Sequence, residues 1–155
     1  MAGKIDAKLA ELGITLSPAG PVAGNYVGNV ITGNLVFIAG QVPQEKGERK
    51  FIGKLGREFG TGEGYKAAEL CAIGLLSRLR DACGGDLDRV TRCVKIVGFV
   101  NATEDFGDHP KVVNGASDLM VKVFGDAGRH ARSAVGMGSL PFGVAVEVEA
   151  VFEIK

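Results

Sequence analysis

From Val144 to Ile154 the chain alternates between two kinds of residue. Val144, Val146, Val148, Ala150, Phe152 and Ile154 share one phase of a period-two pattern. Ala145, Glu147, Glu149, Val151 and Glu153 share the other. That period belongs to a β-strand with one buried face. Such a strand cannot stand alone. Its apolar side needs a covering layer, and its Glu-bearing side must meet water or a second surface.

The remaining segments predict what that layer is. Residues 4–12 read as a short amphipathic helix, with Ile5, Leu9 and Leu12 on one face and Gly13 as its stop. A Pro/Gly-rich loop covers residues 17–24. Residues 26–31 and 35–40 read as strands around the turn Thr32-Gly33-Asn34, followed by a polar loop to Lys50 and a short third strand at 51–55. Residues 62–83 give the clearest helix, since Ala68, Ala72, Leu75, Leu79 and Ala82 follow four-three spacing. Val90 to Val100 is a long strand, and from Cys93 onward it is apolar on both faces except at Lys95, a pattern that predicts cover on both sides. A further helix begins near Pro110, with Val113, Ala116, Met120 and Val123 as its stripe. Strands at 131–137 and 144–154 close the chain. They are joined through Leu140-Pro141-Phe142-Gly143 and read as a hairpin.

This order predicts an α+β fold, a mostly antiparallel sheet with two helices on one face. A length of 155 residues fits one domain, with residues 1–23 as an N-terminal helix-and-loop extension.

Charge and composition exclude several classes. Eighteen basic and eighteen acidic residues cancel, there is no Trp, and no basic stripe carries interleaved aromatics. This argues against a nucleic-acid surface. Cys71, Cys83 and Cys93 are odd in number and lack CxxC spacing, which argues against disulfides and zinc and fits a reducing cytoplasm. No apolar run approaches the ~18 residues of a membrane span, and the first residues lack a signal-peptide pattern. The run Gly60-Thr61-Gly62-Glu63-Gly64 lacks the Lys of a phosphate loop and reads as an entry to the helix. Neither a cofactor nor a metal is expected.

The residues that remain for chemistry are few. Arg132 sits among small residues, and its planar fork suits a two-oxygen grip on a carboxylate. In a hairpin it would share a pocket with the acids of the following strand. Glu147 and Glu149 face either solvent or a cleft. His109 and His130 lie on different elements; His109 reads as a helix cap, and His130 reads first as a surface loop residue, with a place near Arg132 where it would tune the cleft as the alternative.

Three segments together resemble the YjgF/RidA family. The first runs from Tyr26-Val27 through Gly33-Asn34-Leu35-Val36-Phe37-Ile38-Ala39-Gly40-Gln41-Val42-Pro43. The second comprises Phe99-Val100, Asp105-Phe106 and Asn114. The third comprises Ala131-Arg132-Ser133, Leu140-Pro141 and Val146-Glu147-Val148-Glu149-Ala150. The match covers residues 24–154, and the longer loops resemble a longer branch of that family. The resemblance implies a chorismate-mutase-like fold, a homotrimer with its sheets inside, and ligand clefts between subunits. It also implies hydrolysis of reactive enamines or imines, 2-imino acids giving 2-keto acids and ammonia. By position, the family's carboxylate-binding arginine falls on Arg132 and its water-orienting glutamate on Glu147. Tyr26, Gly40, Asn114 and the backbone at Ala134 would line the cleft.

The chain departs from the family pattern at four places. Ala134 stands where a Cys is common, Ala39 where a Ser is common, and Asn25 and His130 where prolines are common. These departures alter the cleft wall and leave the anion anchor in place. The implied partner is a small carboxylate-bearing imine or keto acid. A trimer that binds carboxylates without turnover is the alternative, and a ribonuclease or translation inhibitor ranks below both.

Overall fold

The structure is a computed structural model and describes residues 2–155. In chain order its main elements are α1 (Lys4–Glu11), β1 (Asn29–Thr32), β2 (Leu35–Gln41), β3 (Gln44–Glu45), β4 (Glu48–Arg49), α2 (Thr61–Ala82), β5 (Val90–Asn101), α3 (His109–Phe124), β6 (Ala131–Met137) and β7 (Val146–Ile154). Strands β1, β2, β7, β5 and β6 form one sheet in that spatial order; β3 and β4 form a separate small hairpin. All pairings in the main sheet are antiparallel except β5 with β6.

The alternation in β7 is realised as the sequence predicts. Val146, Val148, Ala150, Phe152 and Ile154 are buried beneath the helices, while Glu147, Val151 and Glu153 are only partly covered and Glu149 is exposed. Helices α2 and α3 lie together on that one face. They approach so closely that a Cβ on Gly115 of α3 would strike the Tyr65 carbonyl of α2. The same face takes Val36 and Ile38 from β2 and Cys93, Ile96 and Val100 from β5. Helix α1 is fastened from outside, where the Asp88 carboxylate accepts hydrogen bonds from the backbone N–H of Lys4 and Ile5, both at 2.9 Å.

The β1–β2 turn needs its glycine. Gly33 has φ +59° at the first central position, as a type II′ hairpin requires. The polar loop from Gln41 to Lys50 contains the β3–β4 hairpin, which turns on Lys46 and Gly47, both at positive φ.

Three expectations are corrected. Residues 131–137 and 144–154 do not form a hairpin, because β5 lies between β6 and β7 and bonds to both. Residues 51–55 do not form a strand; they make isolated bridges, Ile52 to Val144 and Leu55 to Phe59 and Ala102, since Asn101 and Gly143 claim their backbone groups one at a time. Strand β5 is covered on one side only within this chain. Val97 and Phe99 face a side of the sheet without helices, together with Val30, Phe37 and Val135.

Candidate functional site

The six residues singled out from the sequence fall into two groups on opposite sides of the sheet. Tyr26, Gly40 and Glu147 line a cleft of about 350 Å³ together with Gln41, Arg49, Arg78 and Phe142. Arg132, Asn114 and Ala134 lie elsewhere, at the outer strand β6 and helix α3.

The first group is built around an irregularity. Ile38 pairs with Ala150 and Gln41 with Val148, so β2 carries one residue more than β7 across this interval. That extra residue is a β-bulge, which locally bends the strand. It brings Gly40 so close to Glu147 that a Cβ at position 40 would overlap the carboxylate. The Gln41 amide braces the bulge by donating to the carbonyls of Ala39 (2.9 Å) and Gly40 (3.2 Å). Tyr26 is in the turn ahead of β1, not within the strand as its place in residues 26–31 suggested. Its hydroxyl accepts a hydrogen bond from the Ala23 N–H at 3.4 Å, and the ring is about half exposed at the cleft mouth. Arg49 stacks on Phe142 with its guanidinium carbon 3.5 Å from the ring centre.

Glu147 is half-buried, and among the described residues it enters no ion pair. Burial pushes its carboxyl above the ordinary carboxylate range, and the nearby charge of Glu149 adds to the effect. A carboxyl set this way is suited to taking and returning a proton.

The second group is a prepared cation. Arg132 points to the helix side of the sheet, where its Nη1 donates to Asn114 Oδ1 (2.8 Å) and Ser117 Oγ (3.1 Å) and its Nη2 donates to the Pro110 carbonyl (3.3 Å). No carboxylate among the described residues pairs with it. Guanidinium offers five N–H donors. Those contacts leave Nε and one hydrogen of Nη2 without an acceptor among the described residues. Ala134 follows two residues later on the same face of β6, opposite Gly98 of β5.

The cation and the acid therefore do not share a pocket within one chain, which corrects the hairpin-based expectation. Arg132 is level with Ile96 and Ala150, whereas Glu147 lies three residues along β7 and projects from the other face. Two strand spacings of ~4.8 Å and three residues of ~3.3 Å separate their Cα atoms.

The histidines also find definite places. His109 is the first residue of α3 and packs edge-on against Phe106 at 5.3 Å; it supplies no side-chain cap. His130 is half-buried and not a surface loop residue. It contacts Ser117 and the Gly128 carbonyl. Ser117 was not singled out from the sequence. The signal was present, because Pro110, Asn114 and Ser117 repeat at four-three spacing on one face of α3.

A family model described as "YjgF/chorismate mutase-like, putative endoribonuclease" matches residues 6–152. The chain belongs to the YjgF/RidA family. Its similarity to Protein TCP17 of Trypanosoma cruzi is 45% identity over 154 residues, covering 99% of this chain and 96% of that one. The crystal structure of the protein Atu1372 from Agrobacterium tumefaciens is 45% identical, covering 97% and 92% of the two chains, with a TM-score of 0.90. A Shewanella oneidensis protein is 30% identical, covers 98% and 100%, and superposes with a TM-score of 0.94. The sheet and helices described above are thus the YjgF/RidA fold, and family membership supports a general RidA-like role.

Proposed function

We propose that this YjgF/RidA protein hydrolyses reactive 2-imino acids to 2-keto acids and ammonia, in clefts formed between copies of the chain in a homotrimer. The observation that carries this reading is the division of the site. A half-buried acid and a braced cation, neither in an ion pair among the described residues, lie on opposite faces of one sheet. The helix-free face beside the acid exposes Val30, Phe37 and Val135. Packing such faces together buries that apolar surface and allows Glu147 of one copy to meet Arg132 of the next.

In this reading Arg132 grips the substrate carboxylate through Nε and Nη2. Glu147 takes a proton from water as the water oxygen bonds to the imine carbon. Glu147 passes that proton to the imine nitrogen, completing a neutral carbinolamine. It then takes the carbinolamine hydroxyl proton and delivers it to the nitrogen, which leaves as ammonia. The carbon–nitrogen bond breaks, and a keto acid remains. General acid–base catalysis of about 10²–10⁴-fold is adequate, because imines already react readily with water. RNA cleavage demands far more. The two histidines are no pair for it, since His130 precedes β6 and His109 lies against Gly136 near its end, roughly 20 Å apart at ~3.3 Å per residue.

A coupled assay tests the proposal. An amino-acid oxidase generates 2-imino acids, and semicarbazone formation reports how much survives. The expected result is a lower semicarbazone yield with wild-type protein and no such effect with Arg132→Ala. Unchanged yield with wild-type protein across several amino acids rejects the reaction. Glu147→Gln separates catalysis from binding alone: it stops turnover in a deaminase and changes nothing in a carboxylate binder.

A further inference from the structure

With Arg132 taken as the carboxylate anchor of the function proposed above, we propose that His130 is a positioning residue that holds the Arg132 guanidinium in its gripping orientation through the Ser117 hydroxyl. The hydrogen-bond directions follow from the partners. The Gly128 carbonyl can only accept, and His130 Nδ1 lies 2.7 Å from it, so Nδ1 carries the proton. In a neutral ring Nε2 is then a bare acceptor. Ser117 Oγ lies 2.8 Å from Nε2 and donates its hydroxyl hydrogen to it. This turns the lone pairs of Oγ away from the histidine and toward Arg132, whose Nη1 donates to Oγ at 3.1 Å. The chain of bonds runs from Arg132 to Ser117 to His130 to Gly128, with one hydrogen per link; the other Nη1 hydrogen goes to Asn114 Oδ1.

The surroundings keep the ring neutral. Burial lowers its proton affinity, the Gly128 carbonyl partly offsets this, and the charge of Arg132 lowers it further. Helix α3 presents the uncharged Ser117, the turn after it presents the Gly128 carbonyl, and β6 presents Arg132. Lys95 of β5 is level with Ala131 and projects from the other face of the sheet. Protonation would make Nε2 a donor, reverse the Ser117 hydroxyl, and set two cations across one oxygen. The anchor is therefore loosened by acid.

Two isosteric substitutions separate positioning from mere packing. Gln places an acceptor near the Nε2 position and can still receive the Ser117 hydroxyl, but it does not titrate. Asn places its amide near the Nδ1 position, keeps the Gly128 contact and cannot reach Ser117. The readouts are the dissociation constant for 2-oxobutanoate by calorimetry from pH 5 to 8, and the nitrogen spectra of the His130 ring and the Arg132 guanidinium.

At pH 7.5, His130→Gln is expected to bind like wild type and His130→Asn about tenfold more weakly. Wild-type affinity is expected to fall toward pH 5, and that of His130→Gln to stay level. Equal affinities for the two variants, or a wild-type affinity that does not fall with acid, overturn the proposal. Arg132→Ala controls for the anchor itself: if it binds like wild type, the proposed function fails instead. The spectra need no ligand. Nε2 must show an unprotonated signal that Ser117→Ala shifts, and Arg132 Nη exchange must quicken in His130→Asn but not in His130→Gln; a protonated Nε2 at neutral pH overturns the assignment.

Discussion

The Glu147 carboxylate fills the space that a side chain at Gly40 would need. The contact arises because the β2 bulge sets Gly40 beside β7, and only a residue without Cβ fits there. Gly40→Ala must therefore displace the carboxylate, which is the flexible end of its side chain. The fold should survive with little loss of stability. Misplacement of a reacting group by about 1 Å can cost on the order of 10²-fold in rate. The expected outcome is imine hydrolysis reduced by roughly that factor, with an unchanged circular dichroism spectrum. Full activity in Gly40→Ala would remove Glu147 from the chemistry.

Separation of Glu147 and Arg132 within one chain makes a mixing experiment decisive. Arg132→Ala and Glu147→Gln proteins should each be inactive alone. When unfolded together in equal amounts and refolded, about a quarter of the interfaces combine an intact arginine with an intact glutamate, so about a quarter of wild-type activity should return. Absence of recovery places both residues in one chain's site or in none. Phe37→Asp should lower the mass seen by light scattering to that of one chain and abolish turnover. Phe37 is 45% exposed on the helix-free face, so the chain itself should stay folded.

The raised Glu147 carboxyl also predicts how stability depends on pH. Burial and Glu149 make the folded protein hold this proton more firmly than the unfolded chain does. Stability is therefore lost as pH rises from the ordinary carboxylate value, about 4.3, through the raised folded value, and levels off above it. Glu147→Gln removes the penalty. Urea unfolding should show the variant more stable than wild type at pH 7, with the gain shrinking toward pH 4. A constant difference across that range would show that ionisation of Glu147 is not its source.

Gly115 tests the helix layer. A Cβ there meets the Tyr65 backbone carbonyl and, at 3.2 Å, the Ala68 methyl, and neither can swing aside. Gly115→Ala should force α2 and α3 apart and cost about 1–3 kcal/mol, the usual penalty for overpacking. Thermal or urea unfolding measures it. A neutral result would mean that the two helices slide freely over the sheet.

Local periodicity determined much of this protein. The alternation of Val144–Ile154 specified which side of β7 the helices cover, and the four-three stripes placed α2 and α3 within a residue or two of their observed bounds. The motifs around Gly40, Asn114, Arg132 and Glu147 also marked the family. Strand order lay beyond such patterns. A period of two states which residues share a face, but it does not name the neighbouring strand. The short connection between β6 and β7 is compatible with a hairpin. The observed parallel pairing instead uses α3 as a crossover between β5 and β6, and inserts β5 between the last two strands. That long-range choice set Arg132 against α3, where Asn114, Ser117 and His130 brace it, and left Glu147 on the opposite face beside Gly40. The opening alternation thus said that the Glu-bearing face must meet water or a second surface; only the tertiary structure put Arg132 on the far side of the sheet, because pairing between distant strands decides which side chains can meet.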